Sequence, residues 1–253
     1  MPNLISETRL LWDMPITVAI IDPPASSLVS RVFAYFEYID GKFSTFKPNS
    51  EISLINESLL GIDEVSFDMH TVFVLAEEIR QKTDGYFNIV RGGKIDPLGL
   101  VKGWALSNAA DMLREAGCEN FYVEAGGDFQ AVGLNTENVP WRVGIRNPFN
   151  IDEIVKVLTI CDQGVATSGT YIRGQHINNP VTGEPTDSEV LSITVIGPDV
   201  YEADCYATAA FAMGRQGIAF IESLKEFEGY LIDRSKQATF TSGFERYVDH
   251  ETH

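Results

Sequence analysis

The sequence has few cysteines and little positive charge. Its three cysteines, Cys118, Cys161 and Cys205, lie far apart and form no C-x-x-C pair, which argues against a disulfide framework and against a cysteine zinc site. We expect reduced, mostly buried thiols. Lys and Arg total 19 against 36 Asp and Glu, so the net charge is −17. Because such a surface repels nucleic acid and anionic lipid, neither is an expected partner.

The sequence also lacks a long apolar run. No apolar stretch is long enough to span a bilayer, so we expect no stable membrane insertion. The first apolar run, Leu10 to Ile21, is interrupted by Asp13 and follows a single basic residue, Arg9, so it does not have the pattern of a secretion signal. As given, the chain is expected to be cytoplasmic. Prior removal of a leader peptide stays an open alternative.

An anionic ligand would have to overcome the negative field of this chain. A bound cation, or a set of backbone N–H groups, is a local device that can do so. Oxygen ligands for a cation and helix starts with free N–H groups are therefore the features that would mark such a site.

Composition and patterning predict a mixed fold. Hydrophobic residues make up 44% and charged residues 22%, and 253 residues fit one large domain or two small lobes that share a core. Apolar spacing predicts helices over residues 26–40, 50–56, 68–83, 101–115, 203–213 and 218–224. Strand patterns cover residues 16–21, 43–46, 121–124, 129–132, 141–145, 155–160, 191–196, 230–233 and 238–241. Because successive strands are often joined by short loops, the prediction is an α+β fold with a largely antiparallel sheet and packed helices.

The segment from Asp96 to Gly103 has the features of a phosphate-binding helix start. Its glycines let the backbone approach a ligand closely, and the first turn of the following helix offers free N–H groups. Lys102 adds a positive charge there, and Asp96 can accept hydrogen bonds from a base or a sugar. Taken alone, such a segment is more often an ordinary loop before a capped helix.

Asp204 and Thr208 are a candidate pair of metal ligands. They lie four residues apart on a predicted helix and therefore share one face. A carboxylate and a hydroxyl are hard oxygen ligands of the kind that Mg²⁺ accepts when phosphates and waters supply the rest. Out of context, the pair is far more often part of an ordinary helix face.

Three loops complete the candidate set. Gly126-Gly127 stands between two predicted strands, where it forms a turn and can also let a flat ring lie against the main chain. Residues 164–170 are predicted to form a loop whose hydroxyls, including Thr167 and Ser168, can bind phosphate oxygens. His176 lies in a polar loop, where a lone histidine is more often solvated than catalytic.

The order of these segments resembles the ApbE-like family of FAD:protein FMN transferases, or flavin transferases. The resemblance runs from about Met14 to the final predicted hairpin, which is nearly the whole chain. The matching segments are residues 43–44 with 50–56, 83–87, 96–103, 126–128, 141–145, 166–169, 176–183 and 202–208. Several segments in the family's order are far more specific than any one of them.

The resemblance implies a T-fold-type α+β fold in a single domain, residues 1–253. It also implies that FAD is bound as a substrate in a cleft, with magnesium at its pyrophosphate. The metal ligands would be the side chains of Asp204 and Thr208, with the backbone oxygens of Gly99 and Ala207 assisting. His176 would have the role associated with transfer. The residues predicted to contact FAD are Met14, Asn56, Asp96, Lys102, Gly126, Gly127, Thr167, Ser168 and Asn178.

The chain departs from the family pattern in three places. Asn179 stands where the family has an aspartate before proline, which removes one charge near the predicted site. The interval between Phe87 and Asp96 is much shorter than usual and lacks an aromatic segment that often covers the flavin. The stretch of residues 168–176 is also compact. These departures predict that FAD is held less tightly, or by another element.

The expected activity is magnesium-dependent transfer of FMN from FAD to a Thr or Ser hydroxyl of an acceptor flavoprotein, with release of AMP. The residues suit this reaction because phosphoryl transfer needs positioning and charge neutralisation more than covalent participation. Two alternatives stay open. One is an FAD pyrophosphatase, in which water is the acceptor, and the other is a non-enzymatic flavin-binding protein.

Overall fold

An antiparallel sheet of eight strands forms the centre of the computed structural model, which describes residues 2–25, 27–169 and 189–250. The strands follow the order β1-β2-β5-β6-β9-β10-β11-β12, and each neighbouring pair is antiparallel. They are β1 (Leu4–Leu11), β2 (Met14–Ile21), β5 (Phe121–Ala125), β6 (Asp128–Val132), β9 (Gly164–Gly169), β10 (Val190–Gly197), β11 (Glu228–Asp233) and β12 (Ala238–Phe240). The predicted α+β class with a largely antiparallel sheet is confirmed.

Two smaller hairpins and six helices surround this sheet in the described ranges. The hairpins pair β3 (Val90–Arg91) with β4 (Lys94–Ile95), and β7 (Trp141–Asn147) with β8 (Asn150–Ile160). The helices are α1 (Leu28–Phe43), α2 (Glu51–Asn56), α3 (Phe67–Lys82), α4 (Leu98–Glu115), α5 (Val200–Ala212) and α6 (Gly217–Ser223). None of these helices combines the length and the apolar character needed to cross a bilayer.

The two faces of the sheet carry two separate hydrophobic cores. The larger core packs the helices on one face, and the smaller core packs the β7–β8 hairpin on the other. Successive residues of β9 show the division, since Ala166 belongs to the larger core and Val165 to the smaller one. Alternate side chains of a strand point to opposite faces, so both faces of this sheet are buried by apolar contacts.

The first hairpin divides the apolar run of residues 10–21 between two strands, and the predicted strand of residues 16–21 lies within β2. β1 and β2 pair along their whole length, from Leu4 opposite Ile21 to Leu11 opposite Met14. Trp12 and Asp13 form the turn, with φ of 54° and 57°. Two consecutive residues with positive φ give the tight turn that matches the twist of a hairpin, and Asp tolerates this conformation better than most residues.

Two predictions of local structure are wrong. Residues 43–46 do not form a strand, because Phe43 is the fully buried last residue of α1 and Ser44 is its C-cap. Residues 164–169 form strand β9, not a phosphate-binding loop. The small residues there suit a central strand, since a Cβ on Gly164 would lie 2.2 Å from the backbone nitrogen of Val200.

Helices α4 and α5 each begin three residues before their predicted start. At α4, the carboxylate of Asp96 accepts a hydrogen bond from the N–H of Leu98 at 3.2 Å, which satisfies one of the free donors of the first turn. At α5, the carboxylate of Asp199 accepts from the N–H of Tyr201 at 2.7 Å. The N-cap residues are Pro97 for α4 and Asp199 for α5, and Ser50, predicted as the first residue of α2, is the N-cap of that helix.

Candidate functional site

The candidate site lies where α4 packs against α5, and Gly103 makes this contact possible. A Cβ atom on Gly103 would lie 3.0 Å from the Cα of Tyr201 and 3.1 Å from the carbonyl oxygen of Val200. Because residue 103 has no side chain, the first turns of α4 lie directly against the first turns of α5. Lys102 and Asp204 thereby become neighbours, although they lie on different helices.

A buried group of three charges forms the centre of the site. The ammonium of Lys102 contacts the carboxylate of Asp128, and its Nζ lies 3.5 Å from Oδ2 of Asp204. The side chains of Asp128 and Asp204 are only 1% and 5% exposed, and that of Lys102 is 16% exposed. Since charges so far from water must be compensated, the lysine balances part of the charge of both carboxylates.

Asp128 is the site residue that sequence reasoning missed. It is the first residue of β6, and its Oδ1 accepts a hydrogen bond from the N–H of Thr167 at 3.0 Å. Asp128 therefore links the sheet to the lysine of α4. The available signal was an acidic residue directly after the double glycine. The contact of Asp128 with β9 depends on the pairing of β6 with β9, which the sequence alone does not reveal.

The hydroxyls of Thr167 and Ser168 point to opposite faces of β9. Thr167 Oγ1 lies 2.8 Å from Oγ1 of Thr194 on the neighbouring strand. Ser168 Oγ lies 3.2 Å from Oγ1 of Thr208 on α5. The structure thus brings Ser168 to the predicted metal ligand Thr208, whereas the hydroxyl of Thr167 forms a cross-strand contact and its N–H holds Asp128.

The predicted metal ligands supply only oxygen. Asp204 and Thr208 lie one turn apart on α5, Ala207 is fully buried beside them, and Gly99 lies in the first turn of α4. Space is open beside Gly99, since the nearest atom to a Cβ built there is Phe87 Cε2 at 4.0 Å. Hard oxygen donors of this kind suit magnesium. Across the described ranges, no cluster of three or more His, Cys, Asp and Glu side chains suits a metal ion.

Asn56 fixes the segment that leads to Asp96. Its Nδ2 donates to the carbonyl of Ile95 at 2.8 Å, and its Oδ1 accepts from the N–H of Ile95 at 2.7 Å. The side chain thus pairs with Ile95 as a neighbouring strand would. Asp96 itself donates its backbone N–H to the carbonyl of Ile89 at 2.7 Å. Both predicted flavin contacts therefore also hold the backbone before α4 in place.

Met14 lies beside the glycine turn between β5 and β6. Its Sδ would be 3.0 Å from a Cβ on Gly126, which has φ of 59°. Gly127 has φ of 98°, and its N–H donates to Oε1 of Glu124 at 2.7 Å. Burial raises the pKa of Glu124, although this hydrogen bond opposes the shift. The structure places Met14 beside Gly126, and Gly127 follows in the same turn.

The N-cap of α5, Asp199, is a partly buried carboxylate. One oxygen of Asp199 accepts from the N–H of Tyr201, and Oδ2 accepts from the hydroxyl of Ser107 at 2.6 Å. Burial raises the pKa of Asp199 despite these two bonds. Because Ser107 lies on α4, this contact ties the start of α5 to the neighbouring helix.

Two predicted site residues, His176 and Asn178, lie outside the described residues, as does Asn179. Their proposed roles are neither supported nor contradicted by the geometry. The described part of the site comprises α4, α5, the β5–β6 turn, β9 and the Asn56–Asp96 segment.

Comparison with known protein families gives one match that covers most of the chain. A family model described as the ApbE family matches residues 12–93 and 90–231. Among curated proteins, an FAD:protein FMN transferase from Vibrio cholerae serotype O1 is 36% identical over 140 residues, which is 51% of this chain and 42% of that protein. The FAD:protein FMN transferase of Salmonella typhimurium is 31% identical over 154 residues, which is 54% of this chain and 44% of that protein. The matched region therefore spans less than half of these relatives.

Solved structures show the same fold over nearly the whole chain. The flavin transferase ApbE from Vibrio cholerae has a TM-score of 0.85 at 23% identity, covering 98% of this chain and 100% of that one. The ApbE protein from Thermotoga maritima has a TM-score of 0.88 at 20% identity, covering 98% and 100%. At these identities the likeness is one of fold.

Proposed function

Because this chain belongs to the ApbE family, we propose that it is a magnesium-dependent FAD:protein FMN transferase. In this proposal it cleaves FAD, attaches the FMN half to a Thr or Ser hydroxyl of an acceptor protein, and releases AMP. One observation carries the proposal: the buried carboxylate of Asp204 lies one helical turn from Thr208 and beside the ammonium of Lys102. A cation, an anion and a hydroxyl in one place suit the binding of a metal pyrophosphate.

The names of relatives support the activity. Curated relatives from several bacteria carry the name FAD:protein FMN transferase. The matches cover less than half of those proteins, so their activity is extended to this chain as part of the proposal.

The donor set fits magnesium. In the proposal, Asp204 supplies the one charged ligand, Thr208 supplies a hydroxyl, and the backbone oxygens of Gly99 and Ala207 assist, because a carbonyl has a second lone pair beyond its helix hydrogen bond. When bound, magnesium would neutralise charge on the pyrophosphate and stabilise the AMP leaving group. A single carboxylate is sufficient charge for an ion that keeps water and phosphate ligands.

The start of α4 would bind the phosphates. The positive end of the helix dipole favours an anion there. Gly99 leaves this approach open, and Lys102 adds charge in the second turn. Asn56 and Asp96 would orient this segment through their backbone contacts and line the flavin site together with Met14 and the Gly126–Gly127 turn.

His176 would act at the acceptor hydroxyl, as a base or as the group that orients it. A histidine can move a proton near neutral pH, and Asn178, two residues further along the chain, is a proposed FAD contact. Since Asn179 replaces the family's neighbouring aspartate, no carboxylate at that position could take over this role.

An assay with FAD and Mg²⁺ separates the proposal from its alternatives. Formation of AMP would exclude a protein that only binds flavin. A flavin that stays attached to a Thr- or Ser-bearing acceptor protein after denaturation would exclude simple hydrolysis. Formation of FMN and AMP at the same rate with and without acceptor protein would instead identify an FAD pyrophosphatase. Undiminished AMP release in excess chelator would contradict the requirement for magnesium.

A further inference from the structure

The ammonium of Lys102, a largely buried lysine, lies unequally close to two carboxylates. Lys102 contacts Asp128 directly, while its Nζ stays 3.5 Å from Oδ2 of Asp204. Asp128 is held in place by the N–H of Thr167 at 3.0 Å, on a central strand of the sheet. Asp128 is therefore the fixed partner of the ammonium, and Asp204 is its more distant neighbour.

This arrangement places the ammonium of Lys102 close to Asp204, which is the proposed ligand of the metal ion. Lysine carries a compact charge on a flexible stem, so its ammonium can move between neighbouring acceptors. A divalent cation at Asp204 would be repelled by an ammonium that also lies at Asp204, and their repulsion would be strong because all three side chains are largely buried. The affinity of Asp204 for a cation must then depend on how firmly Asp128 holds the lysine.

We propose that Lys102 competes with Mg²⁺ for Asp204, and that Asp128 is the positioning residue that holds the ammonium away from the metal site. This inference rests on the proposed function, because it takes Asp204 as the metal ligand. It adds a role for Asp128 and a second role for Lys102. Before metal binds, the lysine compensates both carboxylates, and when metal binds, Asp128 retains it.

The proposal predicts effects of opposite sign for the two partners of one ion pair. Lys102→Met removes the competing charge and should raise the affinity for Mg²⁺ on the order of tenfold. Asp128→Asn keeps an oxygen that can accept from Thr167 but releases the ammonium towards Asp204, so it should lower the affinity by a similar factor. General damage to the site would lower the affinity in both variants.

Calorimetric titration of the full chain with Mg²⁺ alone tests this prediction. Asp204→Ala defines the heat that belongs to the site, since it should lose that heat. Because Lys102→Met leaves a buried carboxylate uncompensated, the double variant Lys102→Met/Asp128→Asn is measured as well. It keeps only the charge of Asp204 and should bind Mg²⁺ at least as tightly as the unsubstituted chain.

A second largely buried lysine provides a matched control. The side chain of Lys42 is 14% exposed, and its Nζ lies 3.6 Å from Glu51 and 3.4 Å from Asp68. Lys42→Met should leave the affinity for Mg²⁺ unchanged. Suppose that Mg²⁺ binding depends on Asp204, but that neither Lys102→Met nor the double variant binds Mg²⁺ more tightly than Asp128→Asn. The proposed competition is then disproved, and the assignment of Asp204 as a metal ligand is retained. If Asp204→Ala binds Mg²⁺ like the unsubstituted chain, the metal site itself is wrongly placed.

Discussion

Gly103 and Asp204 stand so close that a Cβ atom on the glycine would lie 3.0 Å from the Cβ of the aspartate. The helix that carries Lys102 can therefore lie against the helix that carries Asp204 only while residue 103 lacks a side chain. The same contact that packs α4 on α5 also sets the distance between the lysine and the proposed metal ligand.

Gly103→Ala should destabilise the protein and weaken its activity. The added methyl would press on the backbone of Tyr201 and Val200, which cannot move without shifting the start of α5. Overpacking of this kind typically lowers the free energy of unfolding by about 1–3 kcal/mol. Unfolding in urea measures the loss, and the rate of AMP release from FAD measures the displacement of Asp204.

Gly41 in α1 offers a matched control for this substitution. It also lies within a helix, but a Cβ built there meets no atom within 4 Å. Gly41→Ala should therefore raise the free energy of unfolding by about 0.5–1 kcal/mol, the usual gain of alanine over glycine in a helix. Equal responses of the two variants would show that Gly103 is not a packing constraint.

Asp204→Ala should abolish magnesium-dependent release of AMP while the fold survives. The substitution removes the one charged ligand of the proposed metal site, and Lys102 keeps its direct contact with Asp128. Glu202→Ala is the control, because it removes an acidic residue of the same helix that pairs with Lys82 at 3.1 Å. Turnover at increasing Mg²⁺ concentration is the measurement, and circular dichroism checks the fold. Normal turnover in a folded Asp204→Ala protein would mean that another residue binds the metal.

The part of the site that was predicted from sequence depends on local patterns. Asp204 and Thr208 share a face because they are four residues apart on a helix, and a helix with this many alanines is readily recognised. Both α4 and α5 begin three residues before their predicted starts, and in each an aspartate accepts a hydrogen bond from a backbone N–H of the first turn. Such a helix start depends on side-chain geometry as much as on residue type.

The part that was missed depends on which strands pair. The role of Asp128 arises from the pairing of β6 with β9, and the strand character of residues 164–169 arises from their position between two other strands. Small residues and hydroxyls are typical of loops, and only burial between neighbours makes them a strand here. Long-range pairing of this kind leaves no periodic signal in the segment itself.

Asn56→Ala should loosen the segment before α4. It removes two hydrogen bonds between the side chain of Asn56 and the backbone of Ile95, and it leaves two partly buried backbone groups without these partners. The expected loss in the free energy of unfolding is about 1–3 kcal/mol. Amide exchange at Ile95 should accelerate, and the KM for FAD should rise. Asn49→Ala, at an exposed asparagine, should change neither quantity.

Asp199→Asn should change the pH dependence of stability. Burial raises the pKa of Asp199 above its ordinary value of about 3.9, so the folded protein favours the protonated form more than the unfolded chain does. A raised pKa contributes stability that is present below the unfolded pKa and is lost as pH rises through the folded value. Asparagine can still cap α5 but does not ionise. The free energy of unfolding of the unsubstituted chain, minus that of Asp199→Asn, should therefore fall as pH rises from about 4 towards neutrality.

Glu222 provides a control of the opposite sign for this measurement. Hydrogen bonds from the side chain and the backbone N–H of Ser242 lower the pKa of Glu222. A lowered pKa contributes stability that is present above the unfolded pKa and lost as pH falls through the folded value. The corresponding difference for Glu222→Gln should therefore rise with pH where that for Asp199→Asn falls. Urea unfolding of the three proteins at a series of pH values tests both signs at once. A difference for Asp199→Asn that stays constant or grows with pH would show that its two hydrogen bonds outweigh its burial.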